Sequence, residues 1–579
     1  MDFSTCKPPT SALYYYNYVI SRIKMDSFIR QLRWLFSPRD KYRFMVISLL
    51  MAFSALLELA GIGILLGAAT LFLSPESSSG RKIAVFMEEL LPLLPPEYRI
   101  VGAICLIGVL LAAKNILAFF IIRIQAKFIF AKRQETAARL FERYLYADYE
   151  SFSSLSQEYC FNSFQRVFDL THMVLMPLMQ SLADILVILI LTLAAVIIFP
   201  AVSLAGIAFM VFCAAAVSLL TRKLNRKYGR AFLQAHLTEN QWRHTGIAGE
   251  KTIKCTVTEK FFLKNFTTAY QQMNTLSRKL YTLGQIPRLA LESASILLAG
   301  GVFAVMILLD IPRNEIMLTF AVLTAVIGRI LPALSRCHYN LTLIRQNRPL
   351  LDDVCRILKE LPEEPAADPA VPGADAGKTI ELKNISFAYG KGDLILDNFN
   401  LTIEPKSSLA IAGRSGKGKC TLIDLLTGLL KPHSGTITAG NIPVSNDLHS
   451  WRKQIGIVPQ NIFLIDGTVA ENVAFGEENI DFDKVKRSLD LAGLPDFAPG
   501  YLLTANGNLS GGQRQRIGIA RALYSDAKML IFDEATSALD AETENAFCHL
   551  IDRLKNQLTI IIISHRESTL DVCDQKIIL

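Results

Sequence analysis

Six long apolar stretches fill most of residues 44–345 of this 579-residue chain, and they constrain the fold more than any other feature. They lie at about 44–73, 100–122, 174–199, 201–220, 288–309 and 315–343. A helix needs roughly 20 apolar residues to cross a bilayer, and hydrocarbon leaves no partner for an unpaired backbone group, so each stretch reads as a membrane helix. The third and fourth are separated only by "FPAV", which demands a tight helical hairpin, and the fifth and sixth by the short "DIPRNE". A composition of 51% hydrophobic and 19% charged residues agrees with a membrane protein, and that excess ends where ordinary globular composition begins.

Charge orients the helices. Arg30, Arg33, Arg39, Lys41 and Arg43 precede the first span, Glu76, Glu88, Glu89 and Glu97 follow it, and "TRKLNRKYGR" follows the fourth. The basic segments belong on the cytoplasmic side, which places both termini there and gives a multi-pass protein of the inner membrane. The net charge of +8 clusters beside the apolar stretches, so it suits an anionic leaflet and not nucleic acid. Ten cysteines include no CxxC pair, which reads as reduced thiols. The connections of about 50 and 65 residues after spans two and four read as helices that run on into the cytoplasm and bend back near 148–154 and 237–246. Residues 1–29 read as a lead without a cleavable signal; its first 24 residues are either disordered or an artefact of start assignment, since "MDSFIRQLRWLF" from Met25 opens an amphipathic beginning. The membrane domain spans 30–360, the Pro/Ala-rich stretch 361–377 is a linker, and a soluble α/β domain occupies 378–579.

In that domain "SSLAIAG" followed by "RSGKGKCTLIDLLTGLL" is a strand, a glycine loop and a helix. The order suits phosphate binding: Gly413, Gly416 and Gly418 let N–H groups turn inward, the helix points its positive end at the anion, and Lys419 neutralises charge. "NLSGGQRQR" gives a second phosphate-facing segment, with Ser510, Gly511, Gly512 and Gln513 at a helix start. "MLIFDEATSALD" ends a buried strand in Asp533 and Glu534, suited to holding magnesium through water and activating an attacking water. "IIIISH" ends another in His565, "IGIVPQ" ends in Gln460, and Tyr389 in "ISFAYG" offers a face for a base.

Together these motifs resemble an ATP-binding cassette (ABC) exporter of the half-transporter type, over about residues 30–579. The resemblance implies a six-helix transmembrane domain with long cytoplasmic helical extensions, followed by an α/β P-loop ATPase domain. It implies ATP held by Tyr389, Gly413, Arg414, Ser415, Gly416, Lys417, Gly418, Lys419, Cys420 and Thr421, and by Ser510, Gly511, Gly512 and Gln513 of a partner cassette. It implies Glu534 as catalytic base with His565 and Gln460, a D-loop at 537–540, and Mg2+ on Gln460, Asp533 and, doubtfully, Cys420. The partner is a second copy of the chain or a related chain; the other partners are the bilayer and an amphiphilic substrate, with no nucleic acid.

Three departures from the family pattern stand out. Cys420 replaces the magnesium-binding hydroxyl, and a thiol is a poor ligand for so hard a cation; hydrolysis is expected to be slowed and not lost. The favoured reading of this thiol is an inert group filling the space of a serine; the second is redox sensitivity, through a pKa lowered by Lys419. The segment "PDFAPGYLLTANGNLSGGQ" is short and lacks an acidic residue common there, and the sequence ends at "DQKIIL", within what resembles a late strand.

Charged residues inside spans face a cavity or a partner. Lys114, Arg288, Arg329 and Arg336 either line a site for an anionic headgroup or pair with Glu58, Asp184 and Glu292. "IPRLALES" and "VIGRILPALSR" also resemble flippases of lipid-linked oligosaccharides, which implies an anionic amphiphile as cargo. The alternatives are an exporter of peptides, drugs or other lipids, and a membrane regulator switched by ATP without transport.

Overall fold

The computed structural model describes residues 25–73, 99–198, 200–311, 313–362, 372–390, 392–414, 416–504, 509–536 and 541–579. The expected leader residues 1–24, the acidic loop with Glu76, Glu88, Glu89 and Glu97, most of the linker, Ser415 and the D-loop at 537–540 lie outside them. The chain forms two compact units, one of residues 1–143 and 156–360, the other of Tyr144–Leu155 and Leu361–Leu579.

The first unit is helical: α1 (Met25–Leu35), α2 (Pro38–Leu73) and α3 (Arg99–Leu145) come before the short α4 (Tyr149–Ser153). After it come α5 (Gln157–Leu170), a π-helical turn at Thr171–Leu175, α6 (Met176–Ile198), α7 (Pro200–Ala248), α8 (Glu250–Thr256), α9 (Glu259–Leu308) and α10 (Arg313–Glu360). The helices α3, α7, α9 and α10 have 47, 49, 50 and 48 residues. At 1.5 Å per residue each is about 70 Å long, over twice the ~30 Å thickness of a bilayer's hydrocarbon. Among the described residues five helices are long and apolar enough to cross a membrane, within 38–61, 108–145, 159–197, 206–248 and 259–308. The sixth expected stretch, 315–343, is helical as the first part of α10. Helix α1 begins inside the segment expected to be a lead.

One bend differs from expectation. Residues 237–246 lie within the helix α7, which ends at Ala248, and the chain turns at Gly249–Thr258, around α8. Val257 ends α8 in the left-handed conformation at φ 54°. The other expected bend is present: Asp148 caps α4 by accepting from Ser151 N at 3.1 Å.

The second unit has a four-stranded antiparallel sheet in the order β2-β1-β4-β5. Its strands are β1 (Ile380–Phe387), β2 (Leu396–Ile403), β4 (Ser434–Ala439) and β5 (Ile442–Pro443). Strand β3 (Ser408–Ala412) feeds α11 (Lys419–Leu426), α12 (Leu448–Lys453) precedes β6 (Ile455–Val458), and β7 (Gly467–Thr468) precedes α13 (Val469–Val473) and α14 (Phe482–Leu491). Then come β8 (Leu502–Leu503), α15 (Gly511–Tyr524), β9 (Met529–Asp533), α16 (Ala541–Leu554), β10 (Thr559–Ile563), α17 (Glu567–Asp571) and β11 (Gln575–Ile578). Strands β11-β3-β10-β9-β6 form a parallel sheet in that order. Their runs "SLAIA", "MLIFD" and "TIIII" are almost wholly buried, as strands covered on both faces must be.

Candidate functional site

Parallel strands present their carboxyl ends along one edge, and ligands bind in the crevice there. The order β3-β10-β9-β6 therefore sets four chain segments side by side: the glycine loop after β3, His565 after β10, Glu534 after β9 and Gln460 after β6. Residues separated by 150 positions in sequence meet because of strand order alone.

The loop itself is shaped by glycine. Gly418 caps α11 at φ 90°, and a Cβ there would stand 2.6 Å from Ile395 Cγ2. Gly413 sits at φ 145°, with no room for a side chain. Lys419 is buried, and its ammonium donates to Gly413 O at 2.7 Å and Arg414 O at 3.2 Å and lies 3.4 Å from His565 Nε2. The loop is thus wound around one cation at a helix N-terminus. Around it Arg414, Gly416, Lys417 and Cys420 are exposed, Gly418 is half-buried, and Thr421 is buried with its hydroxyl 3.4 Å from the Tyr389 hydroxyl. Tyr389 leaves 47% of its surface open and stands edge-on to the buried Phe387, as a base-stacking ring would require.

Opposite the loop, Glu534 is held in the left-handed region at φ 51°, a conformation costly for any residue with a Cβ. Its carboxylate accepts from Gln460 Nε2 at 2.7 Å and lies 3.3 Å from His565 Nε2. Glu534, His565 and Lys419 therefore form one chain of contacts, with Gln460 on the second carboxylate oxygen. Asp533 is half-buried, and burial pushes its carboxyl up, with Glu534 adding to the effect.

Cys420 goes against the second reading, a thiol activated by Lys419. Its Sγ faces Asp533 Oδ1 at 3.9 Å. Partial desolvation, then Asp533, Asp424 and Glu534, push the thiol up to about 11. Asp424 was not anticipated from sequence. It lies one helical turn after Cys420, and burial followed by Asp533 pushes it up to about 6; the i, i+4 spacing was the available signal. Gln515, also missed, donates to the Glu534 carbonyl at 3.3 Å. Within the same unit Tyr149 of α4 is raised by burial and then by Asp424 and Tyr389, so this short helix lies within electrostatic range of the loop.

Ser510 caps α15 and accepts from Gln513 N at 3.2 Å, while the Gln513 side chain accepts from Ser510 N at 3.0 Å. Among the described residues, no hydrogen bond or ion pair joins 510–513 to Lys419, Glu534 or His565. Nor do three of His, Cys, Asp and Glu gather as a metal cluster there. The donors Asp533 and Gln460 fit an oxygen-preferring cation that brings its own phosphate and water ligands; the thiol does not.

In the helical unit three of the four cations expected to face a headgroup have carboxylate partners. Glu58 lies 3.2 Å from Lys114 and 3.1 Å from Arg329, and Asp184 lies 2.7 Å from Arg336. Arg288 and Glu292 are both exposed and make no ion pair with each other.

Residues 396–537 match the family model described as "ABC transporter". The chain has the fold of an ABC exporter. It superposes on a solved bacterial Atm1-family ABC exporter with ATP bound, with TM-score 0.74 and 20% identity, covering 93% of this chain and 94% of that one. It is 32% identical over 380 residues to an ATP-dependent lipid A-core flippase of Burkholderia orbicola, covering 63% of each chain. A protein of the same description from Saccharophagus degradans is 33% identical over 343 residues, 58% of this chain and 57% of that one. The chain thus matches about three fifths of the length of these curated relatives. A helical unit and a unit containing the residues that match the ABC transporter model occur here in one polypeptide.

Proposed function

We propose that the protein hydrolyses ATP and uses the energy to move an anionic amphiphile across the inner membrane, as a pair of half-transporters with six spans each. The contact chain Lys419–His565–Glu534–Gln460 at four adjacent strand ends carries this reading. Lys419 and the loop N–H groups bind the terminal phosphates, and Tyr389 takes the base. Glu534 accepts a proton from the attacking water, which Gln460 helps orient. His565, in contact with both Glu534 and Lys419, holds the base against the phosphate end of the site. Ser510, Gly511, Gly512 and Gln513 of the partner would close over the same nucleotide, consistent with their purely local bonding here.

Asp533 and Gln460 would hold Mg2+, and Cys420 would leave its place to water. When bound, the ion neutralises charge on the phosphates.

The named relatives point to a lipid A-core as cargo, and the patterns "IPRLALES" and "VIGRILPALSR" to a lipid-linked oligosaccharide; either would be recognised by Arg288, Arg329, Arg336 and Lys114. Glu58 serves two cations, so that group keeps one net positive charge for a phosphate. The pairing of Arg336 with Asp184 favours the second reading, an exporter of less charged lipids, peptides or drugs. The test is ATPase activity in liposomes containing lipid A-core or polyprenyl-diphosphate lipids. Stimulation that is lost in Arg329→Ala and Arg336→Ala supports an anionic headgroup; stimulation unchanged in both removes it in favour of the second reading.

A further inference from the structure

His565 is poorly anchored by its own side chain, which is 51% exposed. It sits in a three-residue connection between the end of β10 at Ile563 and the start of α17 at Glu567. What surrounds that connection must therefore set where the imidazole stands. On one side the buried Ser564 hydroxyl accepts from Arg566 N at 3.0 Å and lies 3.5 Å from the buried Thr536 hydroxyl. On the other side is a carboxylate, Glu544 of α16, only 8% exposed. It forms an ion pair with Arg566 and accepts hydrogen bonds from the Ser568 hydroxyl and, at 3.4 Å, from the Thr569 hydroxyl.

Three donors from residues 566–569 converging on one buried carboxylate exceed what helix packing requires. Burying an ionised group is costly unless it is paired and hydrogen-bonded. Here the carboxylate is satisfied wholly by the segment that follows His565. Thr536 and Glu544 both belong to the stretch of chain that leaves Glu534, so the polypeptide bearing the base returns to grip the loop bearing the histidine.

We propose that Glu544 is a positioning residue for ATP hydrolysis, holding the His565 loop through Arg566, Ser568 and Thr569 so that the imidazole stays in contact with Glu534. The inference rests on the ATPase reading above and extends it to a residue that touches neither nucleotide nor water. A small displacement of a group contacting the base should slow the chemical step while leaving nucleotide binding intact.

The experiment uses the full chain in nanodiscs, comparing wild type, Glu544→Ala, Glu544→Gln, Arg566→Gln and the Glu544→Gln/Arg566→Gln double variant. Steady-state hydrolysis and binding of a fluorescent ATP analogue are measured on each. Glu544→Ala is expected to lower kcat roughly tenfold with KM and analogue affinity within about twofold of wild type. Glu544→Gln should fall between, and the double variant should be no slower than the worse single, as expected of two groups acting through one contact. Should Glu544→Ala fail to fold, the near-isosteric Glu544→Gln and the cycle with Arg566 carry the same test. Unchanged kcat, or kcat lost only together with analogue binding, overturns the inference while leaving the ATPase reading intact. A wild type that binds the analogue without hydrolysing ATP overturns the ATPase reading and this inference with it.

Discussion

The proposed nucleotide site and the charged groups of the helical unit solve opposite problems with similar residues. In the site, Lys419, His565, Glu534 and Gln460 touch one another in a line, while the residues around them stay open to solvent. In the helices each cluster is closed on itself: Asp184 with Arg336, and Glu58 with Lys114 and Arg329. Charges that must engage a ligand are held by backbone geometry at strand ends and by positive-φ positions such as Glu534. Charges within long helices are held by each other, which makes them stable and leaves less to offer a cargo. On the proposed reading, the phosphate-binding groups are preorganised, whereas the helical cations would have to exchange a carboxylate for a headgroup.

The sharpest way to break this contrast is to remove one group on each side. Glu534→Gln should reduce hydrolysis by about 10²-fold or more while ATP still binds, because a general base contributes on that scale; a phosphate-release assay and an ATP-binding assay on the same sample check it. A smaller effect is expected from Arg336→Gln. It strands the Asp184 carboxylate, which is only 9% exposed, and should cost on the order of 1 kcal/mol, discounted because Arg336 is itself 62% exposed. Thermal unfolding in detergent should show a lower midpoint, and Asp184→Asn in the same chain should recover most of it. If the double variant is as unstable as the single, the pair is not what holds these helices.

Strand ends were legible because their chemistry needs fixed residue types at fixed places. "IIIISH", "MLIFDEA" and "IGIVPQ" each announce a buried strand and the group that follows it, and strand order then brings them together. The turn at Gly249–Thr258 was not, because nothing in "LTENQWRHTG" distinguishes a helix that continues from one that bends. Ion pairs across helices are equally silent: Asp184 and Arg336 stand 152 residues apart, and only packing introduces them. The π-helical turn at Thr171–Leu175 has no sequence signal that we can identify. Glu544 left a trace, since "SHREST" supplies Arg566 and Ser568 directly after His565, but its partner lay in another helix.

Two further effects sharpen the comparison at smaller scale. Cys420→Ser should lower the magnesium concentration needed for half-maximal hydrolysis several-fold, because one oxygen ligand replaces a thiol among a few; equal magnesium dependence in both proteins would show that the position does not contact the ion. Smaller still is the reactivity of Cys420 itself. With its thiol pushed up to about 11, it is protonated at neutral pH, and alkylation should accelerate about tenfold per pH unit from 7 to 10. Mass-spectrometric mapping against the exposed Cys255 measures that directly; a Cys420 that alkylates faster than Cys255 at pH 7 would restore the activated thiol.

One measurement bears most directly on the account: steady-state phosphate release by the purified full chain in liposomes, with Glu534→Gln alongside. A strand-end machine of the kind described here releases phosphate continuously and stops when the Glu534 carboxylate becomes an amide, with ATP retained. Equal release from both proteins, or none from either while ATP is bound, would contradict it.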